Sequence, residues 1–322
     1  MHTGGEPVRI IKMGIPEPHG STILEKRKFM KEFYDDYRKY LMFEPRGHSD
    51  MYGALLVKPN HPDADLGVLF MHNEGYSTMC GHATIALARY AVDEGLVSVS
   101  ESGFTPVSIE CPCGLVNAFY DKNSGRSSFI SVPAFLYEQD VVVPVGGSIG
   151  DVKVDISYGG AFYALVNYSS LNLTPETANT EQVRALGTTI TNYLRQNYKV
   201  THPEEDDLSF IYGTIIIDTL SENKSTSNVC IFAESSIDRS PCGSGVTARI
   251  ACLVAKENIG LKEAVIFRNS LTKSEMIGQA IERMKCGKFE AVRVKVEGRG
   301  FYSGRCEFQL EDDDLLGKGF LI

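Results

Sequence analysis

This 322-residue chain contains no long apolar run, no apolar stretch among its first residues and no excess of positive charge. No apolar run reaches the ~20 residues that a membrane-spanning helix needs. The first seven residues, Met-His-Thr-Gly-Gly-Glu-Pro, are polar and lack the apolar region of a secretory signal. The chain carries 32 Lys and Arg against 41 Asp and Glu, and its net charge of −9 argues against a nucleic-acid or anionic-membrane surface. We therefore expect a cytoplasmic protein that binds neither nucleic acid nor membrane.

The chain also lacks the Cys-x-x-Cys spacing of structural zinc sites. Its 8 cysteines include one Cys-x-Cys, Cys111-Pro112-Cys113, and thiols in a cytoplasmic protein stay reduced. We therefore expect neither a disulfide framework nor a metal site. Cys230 and Cys252 lie in apolar runs typical of a strand and of a helix, which predicts that both belong to the core.

Many short β-branched or alternating runs, together with a few helical patterns, predict a mixed α/β (α+β) fold. The helices are predicted at residues 22–40, 81–94, 181–198 and 243–258. Two independent markers recur at similar spacing: Gly-Gly pairs at 4–5 and 159–160, and Cys-Gly pairs at 80–81 and 242–243. This spacing predicts two similar halves, residues 1–145 and 146–299, divided at the breaker-rich segment 144–148. The tail, residues 300–322, is expected to pack back on the first half.

The Cys-Gly pairs open two similar segments, Cys80-Gly81-His82-Ala83 and Cys242-Gly243-Ser244-Gly245, each followed by small, helix-compatible residues. The free N–H groups and the dipole at a helix start make a thiol more acidic. Two such thiols on opposite sides of one carbon atom would form an acid and a base. The pattern therefore indicates the chemistry of a cofactor-free racemase or epimerase.

Several longer motifs resemble the proline racemase superfamily, which contains proline racemases, hydroxyproline 2-epimerases and trans-3-hydroxy-L-proline dehydratases. They run through the whole chain, at residues 2–7, 44–48, 73–82, 155–163, 238–245 and 319–321. The resemblance implies two pseudo-symmetric α/β domains like those of diaminopimelate epimerase, with the substrate in the interdomain cleft. It also implies a homodimer and a proline or hydroxyproline substrate. In this family a short strand usually precedes the segment that corresponds to residues 1–5.

The resemblance also assigns roles to individual residues. Cys80 and Cys242 would be the catalytic acid/base pair, and no cofactor or metal would be required. The backbone at Gly81, His82, Gly243 and Ser244 would bind the substrate carboxylate, because helix-start N–H groups stabilise developing negative charge. Asp238 would hold the ring ammonium, with His82 nearby. For these residues the plainer alternatives are that His82 only caps the helix start and that Asp238 only caps the turn after it. Arg46 and His48 either contact the substrate or brace the cleft.

One difference from the family pattern decides which reaction we predict. The segment after Cys242 looks most like that of the animal dehydratases, yet those enzymes carry Thr where this chain has Cys242. We therefore predict an isomerase that inverts Cα of proline or hydroxyproline, with trans-3-hydroxy-L-proline dehydratase as the alternative. A cysteine hydrolase with Cys80 as nucleophile and His82 as base is a weaker hypothesis, because residues two apart at a helix start rarely orient as such a pair. A non-catalytic amino-acid-binding protein is the fourth.

Overall fold

The structure, a computed structural model, describes all residues from 1 to 322 and divides into two compact units. The first unit contains residues 1–128 and 299–322, and the second contains residues 129–298. The first boundary therefore differs from the predicted one at 145. Residues 144–148 do not link the units, because they lie at the tip of a hairpin inside the second unit. Their Gly and Pro residues serve the hairpin turn, where Gly146 and Gly147 have positive φ.

The secondary structure consists of five α-helices, two short 3₁₀ turns and nineteen strands. The helices are α1 (Ile23–Phe33), α2 (Asp35–Met42), α3 (Gly81–Asp93), α4 (Thr180–Asn197) and α5 (Gly243–Ala255). The strands are β1 (His2–Thr3), β2 (Glu6–Pro7), β3 (Arg9–Ile11), β4 (Tyr52–Val57), β5 (Leu66–His72), β6 (Gly75–Ser77), β7 (Phe104–Cys111), β8 (Gly114–Asp121), β9 (Arg126–Ile130), β10 (Ala134–Gly146), β11 (Gly150–Tyr158), β12 (Phe162–Asn167), β13 (Ile211–Ile217), β14 (Ser225–Phe232), β15 (Ser236–Asp238), β16 (Ala264–Asn269), β17 (Glu275–Cys286), β18 (Phe289–Gly298) and β19 (Gly300–Phe301). The 3₁₀ turns are Tyr168–Leu171 and Asp206–Leu208.

The first unit is a mixed sheet around one buried helix. Strands β3, β4, β5, β7 and β8 pair in that order, with parallel pairs at β3/β4 and β5/β7. Eleven of the 13 residues of α3 are buried, and the helix contacts β1, β7, β8 and β19. A helix that is apolar all round must be enclosed on all sides, and its small alanines permit close packing. The tail adds β19, which pairs with β1.

The second unit also encloses a helix, inside a closed ring of strands. The strand order is β10, β11, β12, β13, β14, β16, β17, β18, and β10 also pairs with β18. Helix α5 contacts β10, β11, β12, β17 and β18, and eleven of its 13 residues are buried. Helix α5 lies very close to the residue after β11, Gly159. A Cβ atom added to Gly159 would lie 2.3 Å from the Ser244 carbonyl oxygen. Helix α4 packs against β10, β13 and β14.

The predicted fold class and the four predicted helical segments are confirmed, with one change. The segment 22–40 forms two helices, because the chain leaves helical geometry at Tyr34, where φ is −126° and ψ is 17°. Cys230 and Cys252 are both buried, as predicted. All eight cysteines are free thiols. None of the five helices combines the length and apolar character needed to cross a membrane.

Candidate active site

Cys80 lies at the N-terminus of α3, after β6 and a short turn. It is the N-cap residue, and its Sγ accepts a hydrogen bond from the backbone N–H of Ala83 at 3.4 Å. The side chain is 5% exposed. The N–H groups of Gly81 and His82 lie in the first turn, where an α-helix provides no internal acceptor. A thiolate or a carboxylate is therefore favoured at this position.

His82 contacts the Cys80 thiol directly. Its Nδ1 lies 3.2 Å from Cys80 Sγ, and its Nε2 lies 3.2 Å from the carbonyl oxygen of Pro7. Since a carbonyl only accepts, Nε2 carries the proton and the Nδ1 lone pair faces the sulfur. Burial lowers the pKa of His82 to about 3. The ring is therefore neutral, so that it can accept a hydrogen bond from the thiol but is a poor base.

The contact between Cys80 and His82 was not expected from residues two apart at a helix start, although the neutral ring does not make the two a nucleophile–base pair. Local sequence spacing gave no sign of the contact, because tertiary partners fix the ring. The carbonyl of Pro7 holds Nε2, the Thr3 hydroxyl donates to the His82 carbonyl at 2.8 Å, and the Tyr52 ring packs edge-on at 4.9 Å. The N-terminal motif that contains Thr3 and Pro7 thus shapes the surroundings of Cys80.

Cys242 lies at the N-terminus of α5 with a different backbone geometry. Its φ is 67°, a value that costs a non-glycine residue about 1–3 kcal/mol and needs support from its surroundings. Its backbone N–H donates to the Ser240 hydroxyl at 3.1 Å. Two buried amides hold the preceding turn: Asn269 Nδ2 donates to the carbonyls of Asp238 and Ser240, and Asn228 Nδ2 donates to that of Pro241. These hydrogen bonds from strand residues therefore hold the backbone of Cys242 in a strained conformation.

Asp238 lies at the end of β15 and is 4% exposed. One carboxylate oxygen accepts the Ser240 N–H at 2.7 Å, so this residue does cap the turn. Burial raises the pKa of Asp238 to about 6, although hydrogen bonds from Ser240 and Cys242 act in the opposite direction. A carboxylate with so little hydration gains strongly from a cation of fixed geometry. Capping and ammonium binding are therefore compatible roles.

The structure thus brings the predicted residues together in two groups. Cys80, Gly81 and His82 lie at the start of α3 in the first unit, and Asp238, Cys242, Gly243 and Ser244 lie around the start of α5 in the second. Sequence reasoning missed three residues of the second group: Tyr163, Asn228 and Asn269. Tyr163 lies at the end of the Gly159-Gly160 motif, which was a usable signal. The two asparagines are far from any motif, and only the strand pairing reveals them.

Arg46 holds the C-terminal tail in the first unit. Its guanidinium donates to the carbonyls of Gly317 and Gln309 and lies 4.0 Å from the Tyr40 ring centroid. These contacts favour bracing over substrate contact for this residue. No group of three or more His, Cys, Asp or Glu side chains is arranged to hold a metal ion.

Comparison with known proteins identifies whole-length relatives. Residues 1–321 match the family described as proline racemase. A trans-L-3-hydroxyproline dehydratase of Saccoglossus kowalevskii is 50% identical over 327 residues, which cover 100% of both chains. The human trans-3-hydroxy-L-proline dehydratase is 49% identical, over 100% of this chain and 93% of that protein. A 3-hydroxyproline 2-epimerase of Burkholderia multivorans is 39% identical, over 100% and 96%.

A solved structure supports the fold at full length. The hydroxyproline epimerase from Agrobacterium vitis, with trans-4-hydroxy-L-proline bound, superposes with a TM-score of 0.92 at 25% identity and covers 100% of this chain and 93% of that one. The predicted family and mixed α/β fold are confirmed. Among the relatives, the dehydratases are more similar to this chain than the epimerase is, so they favour the alternative reaction over the predicted isomerase.

Proposed function

Because the chain belongs to the proline racemase family, we propose that it is a trans-3-hydroxy-L-proline dehydratase in which Cys80 removes the Cα proton. The observation that carries the proposal is 50% identity, end to end, to a protein named as that dehydratase. The epimerase relative is also named for 3-hydroxyproline, so both reactions point to one substrate class.

The first step of the proposed reaction is removal of the Cα proton. The Cys80 thiolate accepts this proton, and the electron pair of the C–H bond moves into the carboxylate as an enolate. The N–H groups at the starts of α3 and α5 stabilise that extra charge, since they are pre-oriented donors. Asp238 holds the ring ammonium and fixes the ring. The neutral His82 ring takes no proton in this step, and its Nδ1, 3.2 Å from Sγ, accepts a hydrogen bond from Cys80 once the sulfur carries the proton.

The second step is loss of the 3-hydroxyl group. In trans-3-hydroxy-L-proline the hydroxyl is trans to the carboxylate, so it lies on the same ring face as the Cα hydrogen. The Cys80 thiol formed in the first step therefore faces the leaving group. As the C3–O bond breaks, the thiol returns its proton to the departing hydroxide. The products are water and pyrroline-2-carboxylate, and Cys80 is again a thiolate.

A 3-hydroxyproline 2-epimerase is the second candidate, and Cys242 is the observation that favours it. A thiol on the opposite ring face can protonate Cα of the same enolate, which gives the epimer instead of the alkene. Cys242 would supply such a proton. The resemblance to the animal dehydratases implies Thr at this position in those enzymes. Protonation by Cys242 and loss of hydroxide would therefore compete for one intermediate.

The test is product analysis by proton NMR after incubation with trans-3-hydroxy-L-proline in deuterated water. The proposal predicts pyrroline-2-carboxylate as the main product. Accumulation of cis-3-hydroxy-D-proline with deuterium at Cα, without the alkene, would instead establish the second candidate. Inversion of L-proline or trans-4-hydroxy-L-proline, with the 3-hydroxy compound unchanged, would refute both.

A pair of variants tests the role of Cys80. Cys80→Ser keeps the shape of the side chain but supplies a far weaker base, and we expect a loss of about 10³-fold in both products. Cys306→Ser, which changes an exposed cysteine, serves as the control and should keep full activity. A Cys80→Ser protein that is as active as the control would remove Cys80 from the mechanism.

We also propose that the protein is a homodimer and that it is located in the cytoplasm, as expected from the sequence. Sedimentation velocity would measure the first, and a single species of about 36 kDa would contradict it, since one chain has a mass of 35.5 kDa. Fractionation of the native cells tests the second.

A further inference from the structure

The Cys242 thiol lies beside two hydroxyl groups that are themselves hydrogen-bonded. Tyr163 on β12 is 1% exposed, and its hydroxyl lies 2.7 Å from Ser244 Oγ. The Cys242 thiol donates to the Tyr163 hydroxyl oxygen at 3.7 Å, and its Sγ lies 3.8 Å from Ser244 Oγ. The three polar atoms thus form a closed cluster at the start of α5.

The position of Tyr163 is fixed from several directions. Tyr163 pairs with Gly213 between β12 and β13, and its ring contacts the Tyr212 ring edge-on, with 5.9 Å between the ring centroids. A phenylalanine ring would fill the same space, so packing alone does not require the hydroxyl. Burial and the nearby charge of Cys242 raise the pKa of Tyr163 well above its ordinary value of 10. The phenol therefore stays protonated at working pH and remains a hydrogen-bond donor.

We propose that Tyr163 is a positioning residue that, together with Ser244, orients the Cys242 sulfur. The phenol oxygen accepts a hydrogen bond from the thiol, and once the thiol ionises the phenol O–H turns to the sulfur and stabilises the thiolate. The expected effect on turnover rests on the proposed role of Cys242, whereas the effect on thiol chemistry rests only on the contacts above. The titratable groups around this cluster, which any pH dependence must include, are Tyr163, Tyr212, Cys230 and Asp238.

The first experiment measures the thiolate directly, without reference to the substrate. The rate of Cys242 alkylation by iodoacetamide is followed against pH by peptide mass spectrometry in the full chain. In Tyr163→Phe the thiolate loses a donor, so we expect the midpoint of this profile to move upward by about one pH unit. At a fixed pH below the midpoint the alkylation rate then falls about tenfold. The profile is measured above pH 7 because burial raises the pKa of Asp238 to about 6.

The matched control is Tyr168→Phe. Tyr168 is also buried in the second unit, and its hydroxyl donates to Ser270 Oγ at 2.8 Å. This variant loses an equivalent buried hydrogen bond without touching Cys242, and its midpoint should equal that of the wild type. An unchanged midpoint in Tyr163→Phe, or an equal shift in both variants, would overturn the inference.

The second experiment separates positioning from general structural support. We expect Tyr163→Phe to slow Cα epimerisation of 3-hydroxyproline about tenfold when Cys242 is present. In a Cys242→Ala background the same change should alter Cα proton exchange less than twofold, because Tyr163 has no thiol to act on. An equal loss in both backgrounds would show that Tyr163 only supports the fold. If no variant acts on any proline derivative, the proposed function fails, and the alkylation profile still decides the role of Tyr163.

Discussion

Replacement of Asp238 by Asn should stabilise the protein while it weakens substrate binding. Burial raises the pKa of Asp238 to about 6, against an ordinary value of 3.8. The folded chain therefore holds more protons than the unfolded chain between these values, and stability falls as pH rises through that window. A difference of about two pH units corresponds to about 3 kcal/mol above pH 7, and to less than about 1 kcal/mol at pH 4. Asn retains the acceptor for the Ser240 N–H and cannot ionise.

The assay for the stability half is thermal unfolding at several pH values. The gain of Asp238→Asn over the wild type should grow from pH 4 to pH 7 and then level off, with a rise in Tm of about 5 °C. Asp151→Asn changes an exposed carboxylate in the same unit and should leave Tm unchanged. If the Asp238→Asn protein is less stable than the wild type at pH 8, burial of the ionised Asp238 carboxylate does not cost stability.

The binding half uses two ligands that differ in charge. Trans-3-hydroxy-L-proline carries a ring ammonium, whereas pyrrole-2-carboxylate carries a neutral ring N–H. Loss of the buried carboxylate should weaken binding of the first about 100-fold, since it leaves a desolvated cation without its partner. Binding of the second should change less than tenfold by calorimetry. Equal losses for both ligands would mean that Asp238 does not contact the ammonium.

Two further substitutions test the reaction and the fold. Cys242→Thr removes the proposed proton donor to the opposite face, so the ratio of alkene to epimer should rise at least tenfold by NMR, and an unchanged ratio would exclude residue 242 from the choice of product. Gly159→Ala should destabilise the second unit by about 3 kcal/mol in urea unfolding, because the new Cβ would lie 2.3 Å from the Ser244 carbonyl oxygen. Gly304→Ala, where no atom lies within 4 Å of the new Cβ, should stay within about 0.5 kcal/mol, and equal effects at both glycines would contradict the close approach.

Much of the fold could be predicted from the periodicity of apolar residues and from the Gly and Pro residues that interrupt it. The segments at 81–94 and 243–258 differ from α3 and α5 only at their C-terminal ends, because small residues after a Cys-Gly turn are a strong local signal. The break at Tyr34 was not predictable, since apolar side chains continue at helical spacing through it. The unit boundary was missed for a related reason. Gly and Pro mark a change of direction, and they do not distinguish a hairpin turn from a linker.

In the candidate site, too, local features could be predicted from the sequence and long-range contacts could not. The positions of Cys80 and Cys242 at helix starts follow from the sequence, because local patterns determine where a helix begins. The surroundings of each sulfur depend on long-range contacts. Pro7 fixes the His82 ring from 75 residues away, and Tyr163 reaches Ser244 across 81 residues. The Gly159-Gly160 motif points to Tyr163 itself, but a single sequence does not show which distant residue it contacts.

We propose that Cys80 and Cys242 act on one bound substrate. The most direct test is protection of each thiol from iodoacetamide by pyrrole-2-carboxylate, quantified for the two peptides in the same sample. We expect the ligand to protect both cysteines with the same half-saturating concentration, while the exposed Cys306 reacts at an unchanged rate. Protection of only one of the two, or protection with clearly different half-saturating concentrations, would contradict the proposal.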